Sequence, residues 1–269
     1  MNTSDFAKEI RKMALTSIFK AQCGHPGSSL SSADIIAVLY NEVMNIYPES
    51  PQNPLRDRFV LSKGHACPAL YSALAIKGFF GKEKISSLRK IDSFLEGMPD
   101  MRSTPGIDMS SGSLGQGISA AAGMALAAVL KKQNYNVYSI LGDGELNEGQ
   151  VWEAFLFSSH YKLSNLCVFI DKNGLQLSGS TNDVLSTEHL KDKLLSFGLK
   201  VMVIDGHNPD EIRGAVSFFL NKTSAPTAII ANTIKGKGVS FMENQAEWHG
   251  RAPNREEYEK AVKEVYGNG

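Results

Sequence analysis

The sequence has few cysteines, no long hydrophobic run and no excess of either charge. Cys23, Cys67 and Cys167 are far apart and odd in number, and they lack the spacing of a metal site, so we expect reduced thiols in a cytoplasmic protein and no structural zinc. Lysine plus arginine total 28, as do aspartate plus glutamate. This balance gives no electrostatic reason to expect nucleic acid or an anionic membrane as a partner.

The stretch poorest in charge covers residues 114–130. Gln116, Ser119 and several glycines and alanines make it too polar, and it is slightly too short, to span a bilayer. The first twelve residues are typical of a charged amphipathic helix and have no apolar signal-peptide core. We therefore expect a protein that neither crosses a membrane nor carries an export signal.

Short, mostly apolar and β-branched runs recur along the chain, each followed by a polar loop that contains glycine. They cover residues 138–141, 166–170, 201–204 and 228–231. Runs without polar alternation are typical of strands covered on both faces, and their spacing suits βαβ units. No repeat or linker divides the sequence. We predict one α/β domain over residues 1–269, with a central, mostly parallel sheet and helices on both faces.

Helix signals lie between these runs. Asn208 can cap a helix with Pro209 at its first position, and residues 256–265 form an amphipathic pattern that ends at Gly267. The glycines and alanines of residues 114–130 predict a helix that packs closely against a neighbouring backbone. Because ligands of open α/β sheets bind beyond the carboxyl ends of the strands, we expect the polar loops after the four runs to converge on one site.

Two of these loops carry oxygen ligands. Asp143 lies between Gly142 and Gly144, and thirty positions later Asn173 is followed by Gly174 and Leu175. If the two strands are neighbours, a carboxylate, an amide oxygen and the Leu175 carbonyl can hold Mg²⁺ or Ca²⁺, with phosphate and water completing the shell. The Gly144 N–H can donate to phosphate. Gly-Asp-Gly alone is as readily a simple turn, but the combination is more specific.

Further segments resemble transketolase, in register and in order. They are Gly-His-Pro-Gly-Ser at 24–28, Asp-Arg-Phe-Val-Leu-Ser-Lys-Gly-His-Ala at 57–66, Ser-Gly-Ser-Leu-Gly-Gln-Gly at 111–117, Lys-Gly-Lys-Gly at 235–238 and Trp-His-Gly at 248–250. The match covers nearly the whole chain but only the first half of a full-length transketolase. The chain therefore resembles the N-terminal, diphosphate-binding subunit of a split enzyme with a thiamine-diphosphate-binding fold.

The resemblance implies thiamine diphosphate and Mg²⁺ as cofactors, with Ca²⁺ or Mn²⁺ as substitutes. It implies that Asp143, Asn173 and Leu175 hold the metal. It also implies cofactor contacts from Ser28, His65, Gly112, Ser113, Leu114, Gly144, Glu145, Asn173, Lys235 and His249. His25 and His249 would face the sugar as acid/base groups, assisted by His65, and Glu148 would lie in an acidic network between two cofactor sites. Ser113 could instead be a turn residue, and His207 part of a turn before a helix.

The implied reaction transfers a two-carbon ketol unit from a ketose to an aldose, on sugar phosphates or related anionic sugars. In this family a glutamate of a pyrimidine domain activates the cofactor, and no segment here corresponds to that domain. We therefore expect a C-terminal partner subunit that supplies it, with two copies of each chain, and no turnover by this chain alone.

One position departs from the family. Transketolases usually have Gly-His-Pro before the Gly-Ser-Leu-Gly-Gln-Gly loop, and this sequence has Gly97-Met98-Pro99. A thioether cannot donate the hydrogen bond of that histidine, so the substitution is either neutral drift or a sign of an unusual sugar, such as a sulfosugar or a branched sugar phosphate. Two other readings stay open: a subunit of another thiamine-diphosphate enzyme, and a non-catalytic partner that kept the fold.

Overall fold

Five parallel strands form the centre of the structure, in the order β1-β2-β3-β7-β6. The structure is a computed structural model and describes residues 1–221 and 224–267. The strands are β1 Arg58–Leu61, β2 Val137–Gly142, β3 Leu166–Lys172, β6 Lys200–Asp205 and β7 Thr227–Asn232. A short antiparallel hairpin, β4 Leu175–Gln176 and β5 Gly179–Ser180, follows β3. The predicted mostly parallel α/β sheet is confirmed. Strand β1 lies within the motif at 57–66 and is not one of the four predicted runs.

Helices connect the strands. They are α1 Thr3–Ala21, α2 Pro26–Ser31, α3 Ala33–Val38, α4 Cys67–Lys77, α5 Gln116–Leu130, α6 Gly149–His160, α7 Thr181–Leu185, α8 Leu190–Ser196, α9 Pro209–Leu220 and α10 Arg255–Val265. Short 3₁₀ turns at Gly64–Ala66, Gly144–Asn147 and Ala246–His249 lie close to the predicted site motifs. Among the described residues, no helix is both long enough and apolar enough to cross a bilayer.

The sheet is covered on both faces because its strands are apolar on both. Tyr138 and Phe169 pack into the core with α1, α3, α4 and α9, whereas Val137 and Val168 pack on the other side with α5, α6 and α8. All four side chains are almost completely buried. Continuous apolar runs are what a doubly covered parallel sheet requires, so the reasoning from the sequence is confirmed here.

The predicted helix signals act as expected. The Asp210 N–H donates to Asn208 Oδ1 over 3.0 Å, and Pro209 occupies the first turn of α9. Helix α10 begins at Arg255 behind a capping box formed by Asn254 and Glu257. Such caps satisfy the free N–H groups of a helix start, which is why both starts could be found in the sequence.

The glycine-rich helix α5 packs closely at one glycine and not at another. A Cβ on Gly117 would lie 2.7 Å from the Cα of Ser62, which lies just after β1, so this turn of α5 needs glycine. Gly123, two turns later, is exposed and has no atom within 4 Å of its Cβ position. The predicted close approach is therefore confirmed for the first turn of α5 and wrong for its middle.

The loops after β2, β3 and β7 meet at one edge of the sheet, whereas the loop after β6 contacts the β7 loop and lies apart from the loops after β2 and β3. Strand β6 is at the border of the sheet, next to β7. The ring of His207 in this loop contacts Asp34 and the backbone of Ile234 instead of a shared cavity. The expectation that all four loops would converge was wrong for this loop, because the sequence does not specify the strand order.

Candidate active site

A cavity of about 590 Å³ opens at the carboxyl ends of β1, β2 and β3. Its wall contains many of the residues named from the sequence: Ser28, His65, Leu114, Asp143, Gly144, Glu145, Glu148, Asn173, Leu175 and His249. These residues come from six separate segments of the chain. Their convergence at the strand ends is the location that ligands of open α/β sheets occupy.

The predicted oxygen ligands lie side by side on this wall. Strands β2 and β3 are neighbours, with Gly142 paired to Asp171. The Gly174 N–H donates to Asp143 Oδ2 over 2.6 Å, so the carboxylate touches the turn between Asn173 and Leu175. The condition that the sequence left open, that the two strands adjoin, is met.

The environment of Asp143 fits a divalent cation. The residue is only 2% exposed, and no lysine, arginine or histidine among the described residues lies within 4.0 Å of its carboxylate. Burial, followed by the nearby charge of Asp171, raises the pKa of Asp143 to about 6, against the opposing hydrogen bonds from Gly174 and Gly144. A buried carboxylate that forms no ion pair among the described residues, beside an amide oxygen and a carbonyl, is the kind of oxygen donor set that Mg²⁺ prefers.

Two lysines bring positive charge to the same cavity. Lys63, which follows β1, lines its floor, and Lys235, which follows β7, donates to the carbonyl of Leu175 over 3.3 Å. Both side chains are about 1% exposed. Burial, followed by the charge of Lys63, lowers the pKa of Lys235 to about 8. Because Lys63 is paired with Asp171, Lys235 is the lysine whose charge favours an anionic ligand at this wall.

Asp171 holds the floor of the cavity together. Its carboxylate forms an ion pair with Lys63 and accepts hydrogen bonds from Thr233 and from Ser31, the last over 2.6 Å. Burial alone would raise the pKa of Asp171, but the Lys63 charge and these hydrogen bonds lower it to about 2. This fully buried carboxylate therefore stays ionised and connects the ends of β1, β3 and β7 with α2.

Three histidines from separate segments form a cluster beside the cavity. The ring centroids of His25, His65 and His249 are 5.1 to 5.4 Å apart. Burial, then the charges of Arg89 and Lys235, lowers the pKa of His25 to about 4, and burial with the Lys235 charge lowers that of His249 to about 3. Burial and the Lys63 charge hold the pKa of His65 well below its usual range. All three rings are neutral at pH 7 and can both donate and accept a proton.

The contacts of these rings differ. Lys235 Nζ lies 2.8 Å from His249 Nδ1, and His65 Nε2 lies 3.0 Å from Ser28 Oγ. His25 Nδ1 is buried with no hydrogen-bond partner among residues 1–221 and 224–267. A buried, unsatisfied ring nitrogen is costly, and a bound ligand would satisfy it.

Glu145 lines the cavity, yet its carboxylate is already occupied. It accepts hydrogen bonds from the Ser62 hydroxyl, from the Gly115 N–H over 2.9 Å and from the Gly142 N–H over 3.1 Å. The contact with Gly115 places a carboxylate at the start of α5, where it stabilises the helix. The structure thus shows Glu145 joining three loops of the site, and its cofactor contact stays a prediction.

The remaining predicted residues lie at the border of the site. Gly112 and Ser113 precede Leu114 but are not in the cavity wall; Ser113 is exposed, and its carbonyl accepts from the Gln116 N–H in a tight turn. A Cβ on Gly64 would lie 2.7 Å from the Gly112 nitrogen, so glycine at 64 lets this turn lie against the start of α4. The roles given to Gly112 and Ser113 stay predictions.

Residues that reasoning from the sequence missed fall in two groups. Lys63 lay inside a quoted motif and Asp171 directly follows the apolar run at 166–170, but neither was given a role, because their ion pair joins distant segments. Leu177, Val184 and Leu185 form the apolar border of the cavity and are 46–71% exposed. Nothing in the local sequence distinguishes this border from an ordinary loop.

Together, the parallel sheet, the buried lysines, the neutral histidines and the cavity at the strand ends define an α/β protein with a ligand-binding site at the carboxyl edge of its sheet. Comparison with known families then identifies it further. Residues 2–269 match the family described as "Transketolase, thiamine diphosphate binding domain". The chain belongs to this family, and the resemblance noted in the sequence is confirmed.

The most similar relatives include both separate subunits and longer proteins. The chain is 46% identical to the 6-deoxy-6-sulfo-D-fructose transketolase subunit of Clostridium sp. strain MSTE9, over 98% of this chain and 96% of that protein. It is 41% identical to an apulose-4-phosphate transketolase subunit of Phocaeicola vulgatus, over 95% and 90%. Human transketolase is 41% identical over 97% of this chain, which spans only 42% of that protein.

Solved transketolases share the fold. The enzyme of Campylobacter jejuni superposes with a TM-score of 0.93 at 31% identity, and the match covers 99% of this chain and 43% of that one. A transketolase of Pichia stipitis in complex with sedoheptulose 7-phosphate gives a TM-score of 0.92 at 29% identity, over 96% and 40%. The thiamine-diphosphate-binding α/β fold predicted from the sequence is therefore the observed one.

Proposed function

We propose that this chain is the N-terminal, diphosphate-binding subunit of a split transketolase. With a C-terminal subunit that carries the pyrimidine domain, it would transfer a two-carbon ketol unit from a ketose donor to an aldose acceptor. The observation that carries the proposal is the meeting of Asp143, His65 and His249, from three distant segments, in the wall of one cavity, with Lys235 in contact with His249. The subunit relatives, which this chain matches over nearly their full length, support the same reading.

The oxygen ligands and the lysines are suited to a magnesium diphosphate. Asp143, Asn173 and the Leu175 carbonyl would hold Mg²⁺, for which Ca²⁺ or Mn²⁺ could substitute. Lys235 would neutralise the diphosphate oxygens, while Lys63 stays paired with Asp171. Bound thiamine diphosphate supplies the nucleophilic carbon and the electron sink that cleavage of a ketose C–C bond needs.

The histidines would handle the protons and hydroxyls of the sugar. The Lys235 ammonium donates to His249 Nδ1, which leaves the ring proton of His249 on Nε2, free to donate to a substrate oxygen. The neutral ring of His25 lies against His65 and His249, which line the cavity, and can take up a proton there. General acid/base assistance of this kind contributes about 10²–10⁴-fold to a rate.

Exposed apolar surface supports an assembly with partner chains. Leu177, Val184 and Leu185 border the cavity where the pyrimidine domain would close it. A second patch lies on α5 and α6, where Leu130 and Leu156 are 74% and 57% exposed. Two such patches on one chain suit an assembly with two copies of each subunit, because one contact joins unlike chains and the other can join like chains.

The direct test is reconstitution. The purified chain alone, with thiamine diphosphate and Mg²⁺, is expected to show no turnover of xylulose 5-phosphate with an aldose acceptor. Adding a purified pyrimidine-domain subunit, for which an adjacent reading frame of about 300 residues is the first candidate, should restore ketol transfer. Turnover by the chain alone, or activity of the mixture with a 2-oxo acid and none with ketoses, contradicts the proposal.

Calorimetry distinguishes a catalytic subunit from a non-catalytic partner protein. We expect the mixture to bind thiamine diphosphate in the presence of Mg²⁺. Asp143→Asn in the same complex should lose this metal-dependent binding while assembly persists. A wild-type complex that binds no thiamine diphosphate identifies a non-catalytic partner protein instead.

A second candidate function is a specialised transketolase, and Met98 favours it. The Met98 side chain packs on Gly112, and its loop lines an open cavity of about 600 Å³ together with Arg89, Asp100 and Ser110. The relatives at 46% and 41% identity are named for a sulfosugar and for apulose 4-phosphate. We propose that the complex uses such an unusual anionic sugar in preference to an ordinary pentose phosphate donor.

Substrate comparison tests this candidate. The kcat/KM for xylulose 5-phosphate, 6-deoxy-6-sulfofructose and apulose 4-phosphate would be measured for the native complex and for Met98→His. The native complex should prefer one of the unusual sugars, and Met98→His should shift the preference toward xylulose 5-phosphate. Efficient use of xylulose 5-phosphate by the native complex, with no effect of the substitution, removes the reason for a specialised substrate.

A further inference from the structure

A chain of buried polar contacts connects α1 with the loop that carries Lys235. Arg11 forms a two-point ion pair with Asp34, and His207 Nδ1 lies 2.7 Å from Asp34 Oδ2. On the other side of the ring, the backbone N–H of Ile234 donates to His207 Nε2 over 2.8 Å. The Arg11, Asp34 and His207 side chains are only 9–12% exposed.

These contacts define the protonation of the ring. Because Ile234 N–H can only donate, Nε2 of His207 must carry a lone pair and accept. The ring proton therefore resides on Nδ1, where it donates to the Asp34 carboxylate. Burial would raise the pKa of Asp34, but the charge of Arg11 and the hydrogen bond from His207 lower it, so the acceptor is ionised.

The turn that contains His207 does not need the imidazole. Asp205 Oδ1 accepts from the His207 backbone N–H over 2.8 Å, which closes the turn. Asn208 caps α9 with its own side chain. The ring is therefore available for the contact with Ile234, on a different segment of the chain.

Ile234 lies between two residues that already touch the site. Thr233 Oγ1 donates to Asp171, in the floor of the cavity, and Lys235 Nζ reaches His249 and Leu175. Each of the three successive residues is held by a different partner. His207 fixes the middle one, and with it the direction in which the Lys235 side chain leaves the backbone.

We propose that His207 is a positioning residue, whose Nε2 aligns the segment 233–235 so that Lys235 Nζ reaches His249 and the Leu175 carbonyl, both in the cavity wall. The ring is not itself part of the cavity wall. The effect of His207 on cofactor binding rests on the function proposed above, in which Lys235 neutralises the diphosphate. The effect of His207 on the alignment of residues 233–235 does not depend on that function.

Two variants test the roles of the two ring nitrogens separately. The amide of His207→Gln reaches the position of Nε2 and can accept from Ile234 N–H, whereas the shorter amide of His207→Asn reaches the position of Nδ1 and can donate to Asp34. Hydrogen exchange of a peptide spanning 233–238 in the full chain measures the alignment without any ligand. We expect roughly tenfold faster exchange in His207→Asn, where a backbone N–H loses its acceptor, and near wild-type exchange in His207→Gln.

The reconstituted complex tests the effect of His207 on cofactor binding. Affinity for thiamine diphosphate with Mg²⁺ should fall roughly tenfold in His207→Asn and be rescued in His207→Gln, with assembly unchanged. Equal behaviour of the two variants, whether both are normal, both lose affinity or both unfold, overturns the proposal, because it assigns the role to one nitrogen. If the wild-type complex binds no thiamine diphosphate, the proposed function fails, and hydrogen exchange still decides the role of His207.

Discussion

Replacing Asp171 with asparagine leaves the ammonium of Lys63 buried without its carboxylate partner. The two side chains are 0% and 1% exposed. Removing one partner of a buried ion pair costs about 3–5 kcal/mol, because the remaining charge cannot return to water. Asparagine keeps one oxygen for the hydroxyls of Ser31 and Thr233, so we expect the lower value, about 3 kcal/mol. At about 2–4 °C per kcal/mol for a large domain, the melting temperature should fall by roughly 6–12 °C.

Urea and thermal unfolding of the isolated chain at pH 7 would measure this cost. A double-mutant cycle with Lys63→Met and Asp171→Leu isolates the pair. The double variant should recover about half of the loss, because the apolar pair removes the unpaired charge but leaves the hydroxyls of Ser31 and Thr233 without their acceptor. Glu259→Gln is the control: its ion pair with Arg255 is exposed, and its loss should cost less than about 0.5 kcal/mol.

The contribution of Asp171 to the stability of the chain depends on pH with a defined sign. The folded pKa of Asp171 is lowered to about 2, so its contribution is present above the unfolded pKa near 4 and is lost as the pH falls through about 2. The difference in stability between wild type and Asp171→Asn should shrink over that range. A cost below about 1 kcal/mol at pH 7, or single substitutions that simply add, would refute the reasoning from the buried pair.

Three further outcomes are expected. Asp143→Asn should abolish stabilisation of the chain by Mg²⁺ and diphosphate in thermal shift assays without lowering the melting temperature of the free chain, because burial already disfavours the Asp143 charge. Gly64→Ala should destabilise by about 1–3 kcal/mol, since its Cβ would meet the Gly112 backbone, whereas Gly123→Ala, with open space around it, should stabilise α5 by up to about 1 kcal/mol in urea unfolding. Lys235→Met should raise the pKa of His249 in an NMR titration, because the Lys235 charge adds to burial in lowering it to about 3.

Much of the fold could be predicted because its signals are local. The apolar runs at β2, β3 and β7 are covered on both faces, whereas Val203 of the edge strand β6 is 48% exposed. The cap at Asn208 depends on its immediate neighbours. Strand order depends on contacts between distant segments, which no local pattern encodes. For that reason the loop after β6 was wrongly expected to join the cavity.

The site, like the fold, could be predicted from the sequence only in part. Asp143 and Asn173 could be paired because neighbouring parallel strands bring their ends together, and β2 adjoins β3. The role of Asp171 could not be predicted, because its hydrogen-bond and ion-pair donors come from three other segments. Glu145 shows the same limit: its position was expected, but its engagement with Ser62, Gly115 and Gly142 follows from the tertiary structure.

The apolar border of the cavity has a consequence for how the cell maintains this protein. Leu177, Val184 and Leu185 are exposed in this chain, and in the proposed complex the partner subunit would cover them. Chaperones and proteases bind exposed apolar surface of this kind, so unassembled copies would be removed while assembled ones persist. The amount of this chain in the cell should therefore follow that of its partner, and the ratio of the two chains would be set after translation.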